Sequence, residues 1–177
     1  MSKMLTKRNV IPDATRSTAT DLRVQRLLTS EPVLISNCRI LTLIDHPSRE
    51  INQQLRAALQ SSQQPVLKFD EGDLRLTPVD FASLLSRRLT NALTGVSRAA
   101  VSRLVIVYSP RWSGECRLPA DAQRIRIAHR QIRDLLRIVY DQETADQVQI
   151  IYGGFVFEEE LADVLCDSNV DGVLINK

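Results

Sequence analysis

Ser109 ends the apolar run Leu104–Tyr108 and is followed by Pro110, Arg111 and Trp112, the chain's only tryptophan. A hydroxyl where a buried strand emerges into solvent is placed for chemistry, as a nucleophile or as a hydrogen-bonding group. As a nucleophile it would need a base within reach, and the local sequence holds no histidine. The Gly-x-Ser-x-Gly turn that exposes such serines is replaced here by Pro110 and Arg111 on the C-terminal side. A polar residue that ends a strand is the simpler reading. Further on, Gly153-Gly154 follow the run Val148–Tyr152, and paired glycines leave backbone N–H groups approachable by an anion. Cys38, Cys116 and Cys166 are odd in number, far apart and without metal-ligand spacing, which reads as reduced, structurally ordinary thiols, with Cys116 in loop sequence. No metal or cofactor is implied.

These residues need elements to position them. Short, mostly β-branched runs at Val33–Ile35, Val66–Phe69, Leu104–Tyr108, Val148–Tyr152 and Gly172–Ile175 read as strands buried on both faces. Between them the apolar period becomes helical: Ile51, Leu55, Ala58, Leu59; then Phe81, Leu84, Leu85, Leu89; then Ile125, Ala128, Ile132, Leu136, Val139. Pro47-Ser48, Thr77-Pro78 and Pro119 with Asp121 supply start signals. Strand and helix alternating without hairpin signals predicts an α/β fold with a parallel sheet. Thr20–Leu28 can be read as a helix, and residues 1–16 as a frayed polar segment.

Composition narrows the function classes. The 177 residues are 44% hydrophobic and 25% charged, which suits one globular domain over residues 1–177. A formal charge of +2 with no basic block gives no electrostatic reason to expect nucleic acid or an anionic membrane. Neither a spanning segment nor the apolar part of a secretory signal is visible, so a cytoplasmic location is expected.

Three motifs in order carry a family resemblance: Tyr108-Ser109-Pro110-Arg111-Trp112, Tyr152-Gly153-Gly154-Phe155-Val156 and Asp171-Gly172-Val173-Leu174-Ile175. They resemble Tyr-Glu-Pro-x-Trp, Tyr-Gly-Gly-Ser-Val and Asp-Gly-x-Leu-x-Gly-Gly, which follow the sixth and seventh strands and form the eighth in triosephosphate isomerases. Pro65-Val66-Leu67-Lys68-Phe69-Asp70-Glu71 is similar to that family's Pro-Ile-Leu-Cys-Val-Gly-Glu, and Val33 to Arg39 is matched to its Leu-Gly-His-Ser-Glu-Arg segment without a gap up to Trp112. Arg8-Asn9-Val10 resembles the end of its third strand. The resemblance implies an incomplete (β/α) barrel of about six parallel units, the C-terminal three quarters of the usual eight. Six such units would leave two unpaired sheet edges, and with the family's dimeric habit this implies a homo-oligomer that covers them.

The same resemblance assigns site positions. In the family a glutamate is the base, a neutral histidine polarises the carbonyl and a closing loop excludes water. Ser109 stands at the glutamate position and Asn37 at the histidine position, while the family's lysine has no counterpart. Neither substitute can move a proton as its counterpart does. The lid that begins at Trp112 and runs through Gly114 and Glu115 is shorter than the family's, and Glu115 or His46 is a candidate replacement acid or base, each weighed against an ordinary solvated side chain. Phosphate binding falls to Gly153, Gly154, Asn176 and Lys177, the last two replacing a Gly-Gly pair. His129 matches a family helix motif away from the active face and is structural. The expected function is a triosephosphate isomerase homologue with little or no activity. A working isomerase of glyceraldehyde 3-phosphate and dihydroxyacetone phosphate, or a module that binds a small phosphorylated ligand, are the alternatives.

Overall fold

The computed structural model describes residues 20–26, 31–43, 48–71, 76–114 and 118–175. Every apolar run named above lies in a strand: β2 (Val33–Thr42), β3 (Gln64–Phe69), β4 (Val105–Tyr108), β5 (Gln149–Tyr152) and β6 (Gly172–Leu174). They pair in sequence order and in parallel. The helical periods are α1 (Ser48–Gln60), α2 (Pro78–Leu93) and α5 (Ala122–Val139), with shorter α3 (Arg98–Val101), α4 (Arg111–Gly114), α6 (Gln142–Gln147) and α7 (Leu161–Leu165) between or after them. Caps explain two of the long starts. Thr77 Oγ1 accepts the Asp80 N–H ahead of Pro78, and Asp121 Oδ1 accepts the Arg124 N–H at 2.8 Å.

Thr20–Gln25 is a strand, β1, and not part of a helix. Leu22 and Val24 are buried while Asp21 and Arg23 are exposed, a period of two that a helix cannot satisfy. β1 runs antiparallel to both β2 and β6 and closes a six-stranded barrel. The expectation of parallel strands throughout is therefore corrected to five parallel strands and one antiparallel strand. The two sheet edges expected to be open from the sequence, those of β2 and β6, are each paired with β1.

Closure depends on Gly172. A Cβ there would overlap Val24 Cγ1 and lie 3.0 Å from the Gln25 carbonyl oxygen, so β1 approaches β6 this closely only because the side chain is missing. On the other side, the β1–β2 register shifts between Thr20 and Leu22. Asn37 sits at that irregularity with φ 57°. Asparagine tolerates the left-handed region, and a bulge there lets β2 leave its antiparallel partner and pair in parallel with β3.

Strand alternation builds two apolar layers. Leu22, Val24, Ile40, Val66, Val105, Val107, Ile151 and Leu174 fill the barrel interior with Cys38, whose thiol burial pushes up to about 11. Leu41, Leu67, Phe69, Ile106, Tyr108, Ile150 and Tyr152 face outward against the helices, which contribute Leu55, Leu85 and Ile132. Residues 1–16 and Arg8-Asn9-Val10 lie outside the described residues. No helix among the described residues is long and apolar enough to cross a membrane.

Candidate functional site at the barrel mouth

Alternation also decides which side chains meet at the C-terminal ends of the parallel strands. Ser109 continues the inward-facing series Val105, Val107; Lys68 and Asp70 continue that of Val66; Thr42 that of Ile40; and Gly153 that of Ile151. The ladders align Thr42 with Lys68 and Lys68 with Val107, so these residues ring one mouth.

Ser109 makes two hydrogen bonds to backbone carbonyls. Its N–H donates to the Phe69 oxygen at 2.9 Å, and its Oγ donates to the Gly153 oxygen at 3.1 Å. Gly153 N–H donates in turn to the Tyr108 oxygen at 2.8 Å. The hydroxyl donates to a backbone carbonyl, and the Asp70 carboxylate, which the β3–β4 register places beside it, is engaged by Arg111. The paired glycines are required by space: a Cβ on Gly153 would lie 2.7 Å from Val107 Cγ1, and one on Gly154 would overlap the Tyr152 hydroxyl. In the same turn Phe155 N–H donates to Ser113 Oγ at 3.0 Å. Of the Gly153 and Gly154 N–H groups expected to receive an anion, that of Gly153 is therefore taken by the protein, as is the neighbouring Phe155 N–H.

Both carboxylates at the end of β3 are buried and engaged. Asp70 accepts from Arg111 through its N–H at 3.0 Å and its Nε at 3.2 Å. Glu71 accepts from Tyr108 Oη at 2.6 Å, Trp112 Nε1 at 3.0 Å, an Arg124 guanidinium nitrogen at 2.7 Å and the Leu76 N–H at 3.1 Å. Burial first, and then the Glu71 charge, push the Tyr108 phenol well above its ordinary value, so it donates to Glu71 and does not ionise. Burial likewise pushes up the Tyr152 phenol.

Three consecutive residues fasten the segment after β4. Arg111 binds Asp70 and Trp112 binds Glu71, while Ser113 Oγ accepts the Phe155 N–H and pairs with Tyr152 Oη at 3.1 Å. Ser113 is fully buried. The start of the expected lid is thus a clamp tied to β3 and to the turn after β5. Asp70, Glu71, Lys68, Ser113 and Arg124 were not singled out as site residues from sequence. The signals were present: a lysine inside an apolar strand, and two acids immediately after it.

Asn37 is not brought to this mouth. It lies five residues before Thr42, whereas Ser109 lies two residues after Val107 in the same aligned row. That offset is roughly 23 Å along strands that rise ~3.3 Å per residue. Its N–H donates to Asp21 Oδ1 and its amide nitrogen to the Ser62 oxygen, so it serves the bulge and not a carbonyl at the mouth. The ungapped match from Val33 to Trp112 is therefore corrected, because the strand register puts residues just after Thr42 at the mouth on β2. His46, Glu115, Cys116, Asn176 and Lys177 lie outside the described residues, whereas Trp112 and Gly114 belong to α4.

His129 is structural. It is fully buried on the outer side of the barrel wall, edge-on to Tyr108 with ring centroids 5.9 Å apart and tilted against Tyr152 at 6.2 Å. No group of three or more His, Cys, Asp or Glu placed to hold a metal ion occurs among the described residues.

The triosephosphate isomerase family model matches residues 42–177, the part of the chain that carries this mouth. The chain belongs to the triosephosphate isomerase family. Curated triosephosphate isomerases are similar at the level expected of a divergent member. That of Mycoplasma pneumoniae is 30% identical over 82% of this chain and 57% of its own length. That of Herpetosiphon aurantiacus is 32% identical over 71% and 50%, and that of Rhodopirellula baltica 26% identical over 93% and 72%. The chain spans about half the length of the first two of these curated relatives.

Proposed function

We propose that this triosephosphate isomerase family member has no useful isomerase activity and serves as a folded scaffold, with a six-stranded closed barrel in place of the family's eight-stranded one. The observation that carries the reading is the state of Ser109: at the strand end where the resemblance puts the base, a hydroxyl is bonded to the Gly153 oxygen. Asp70 and Glu71, the carboxylates nearest in the fold, are held by Arg111 and by four donors respectively. A positioned base contributes ~10²–10⁴-fold to such a reaction, and groups that act together are not additive, so its loss leaves little rate advantage.

A coupled assay of the purified chain with glyceraldehyde 3-phosphate tests this. The expected rate is that of buffer alone, and Ser109→Glu leaves it there. Turnover proportional to protein and abolished by Glu115→Gln or His46→Gln would establish the working isomerase instead. A second reading, retention of a small phosphorylated ligand, is favoured by Lys68, which the alternation of β3 turns toward the mouth. Calorimetry with phosphoglycolate distinguishes it, since heat that disappears in Lys68→Met would support binding without turnover. A homo-oligomer is not required by this reading, because β1 already occupies both sheet edges.

A further inference from the structure

Because β1 runs antiparallel to β6, the first residue of β1, and not the last, is on the mouth side of that pair. Val24 faces Leu174, where β6 ends, so Thr20 stands about 13 Å past that strand end at ~3.3 Å per residue. The chain that precedes Thr20 therefore departs from the mouth; a parallel β1 would have sent it from the opposite end. The rim it meets is apolar and then acidic. After β5, Phe155 and Phe157 pack edge to face with ring centroids 5.1 Å apart, and Phe157 is 43% exposed. Leu118, in the connection that follows β4, is 55% exposed on the same side of the barrel. Glu158, Glu159 and Glu160 continue from Phe157 in a single turn, the first two of them exposed.

The sequence ahead of Thr20 carries the complement. Lys3-Met4-Leu5-Thr6-Lys7-Arg8 is an apolar pair bracketed by bases, and across residues 1–19 Asp13 is the one acid against Lys3, Lys7, Arg8 and Arg16. Reach is sufficient, since the chain from Lys7 to Thr20 spans ~40 Å when extended. The turn after β5 is only two strands from β1, about 10 Å across the sheet. Elsewhere at the mouth Asp70 is paired with Arg111 and Glu71 with Arg124, and Lys68 stands on β3, beyond β4 from this turn. Charge thus directs a basic segment to the β5 side. We propose that the Lys3–Arg8 stretch docks on the Phe155–Glu160 turn of its own chain and straps the barrel mouth. Met4 and Leu5 cover Phe155 and Phe157, and the bases face Glu158 to Glu160. Exposed ion pairs contribute little each, so the apolar contact supplies the affinity and the charges the orientation. Tethering through Thr20 gives an effective concentration on the order of millimolar, which favours the segment of the same chain over that of a second copy. A strap covers an active mouth as readily as an inactive one, so the inference stands apart from the absence of turnover.

The test is zero-length carbodiimide cross-linking of the full chain, read by peptide mass spectrometry on a mixture of isotope-labelled and unlabelled protein. The lysines of the chain are Lys3, Lys7, Lys68 and Lys177, so links from the segment are assigned without ambiguity. Links from Lys3 or Lys7 to Glu158, Glu159 or Glu160 within one chain are expected. Phe157→Ser, at an exposed position, is expected to lower their yield at least ~5-fold by removing the apolar contact. Lys7→Glu alone abolishes the link between positions 7 and 158, and Lys7→Glu combined with Glu158→Lys, which restores opposite charges, is expected to recover it. That pair of variants decides the matter should Phe157→Ser not fold. The proposal is overturned if Lys3 and Lys7 link to carboxylates all over the surface as often as to this turn, or do not link to it. It is equally overturned by links that join labelled to unlabelled chains, by an unchanged yield in folded Phe157→Ser, or by failure of the charge exchange to recover the link.

Discussion

Lowering the pH should destabilise this protein through one buried histidine. His129 is fully buried, its Nδ1 pairs with the Ile125 oxygen at 2.9 Å, and its Nε2 has no well-formed hydrogen bond. Burial, reinforced by the nearby Arg133 charge and only partly opposed by the backbone of Ile125, the Asp167 charge and the backbone of Ile151, lowers its pKa to about 4 from 6.5. A base whose folded pKa is depressed binds more protons unfolded than folded between those two values. Stability is therefore unaffected above pH 6.5, falls as the pH drops through the window, and levels off below about 4. At pH 5 the two values correspond to a loss of about 2 kcal/mol relative to pH 7, which for a chain of this size lowers Tm by ~4–8 °C. Urea unfolding at pH 7 and pH 5, followed by Trp112 fluorescence, measures it. The comparison protein is His129→Phe, whose ring fits between Tyr108 and Tyr152. Both proteins carry His46→Gln so that no other histidine titrates. Asp141, held below its ordinary value first by its bond to Thr144, loses its contribution only as the pH falls below 3.8, outside the window. Parallel stability profiles between pH 7 and 5 for the two proteins, with and without His129→Phe, would falsify the account.

Ser113→Ala leaves the Phe155 N–H without its partner, and we expect a loss of about 1–3 kcal/mol with faster amide exchange confined to residues near Phe155; unchanged exchange there would mean that the clamp after β4 is not held by Ser113. Gly172→Val places a side chain where Val24 and the Gln25 oxygen stand, which should cost about 3 kcal/mol or more and release β1. Size-exclusion chromatography should then show association through the exposed edges of β2 and β6, and a monomer of wild-type stability would show that closure does not depend on this glycine. Asn37→Val forces a β-branched residue to φ 57° and should cost about 1–2 kcal/mol in urea titrations, whereas Asn37→Gly should be nearly neutral; the reverse order would mean that the amide, and not the backbone, matters.

Much of the α/β framework is legible in local sequence, because its signals are short-range. Leu104–Tyr108 reads as a buried strand from its own residues, and α5 reads as a helix from the spacing of Ile125, Ala128, Ile132 and Leu136 with Asp121 as cap. Thr20–Gln25 misleads because Val24, Leu27 and Leu28 have the i, i+3, i+4 spacing of a helix, while Leu22 and Val24 alone make too short an alternation to mark a strand. At the site, Ser109 and the two glycines are recognisable because motif and strand end coincide. The carboxylates that surround them are harder to read, since Glu71 acquires its role only from Tyr108, Trp112 and Arg124, all distant in sequence.

By itself the sequence determined the parallel strands from β2 to β6, the faces of the long helices, the family, and a serine at the strand end where a carboxylate is expected. Only the tertiary structure decided that β1 closes the barrel antiparallel, that Asn37 belongs to a bulge and not to the mouth, and that Arg111, Trp112 and Ser113 clamp the segment after β4. The physical reason is the same in each case. Strand register and edge pairing are set by contacts between distant segments, and a shift of a few residues along a strand moves a side chain from one end of the barrel to the other without leaving a mark on local pattern.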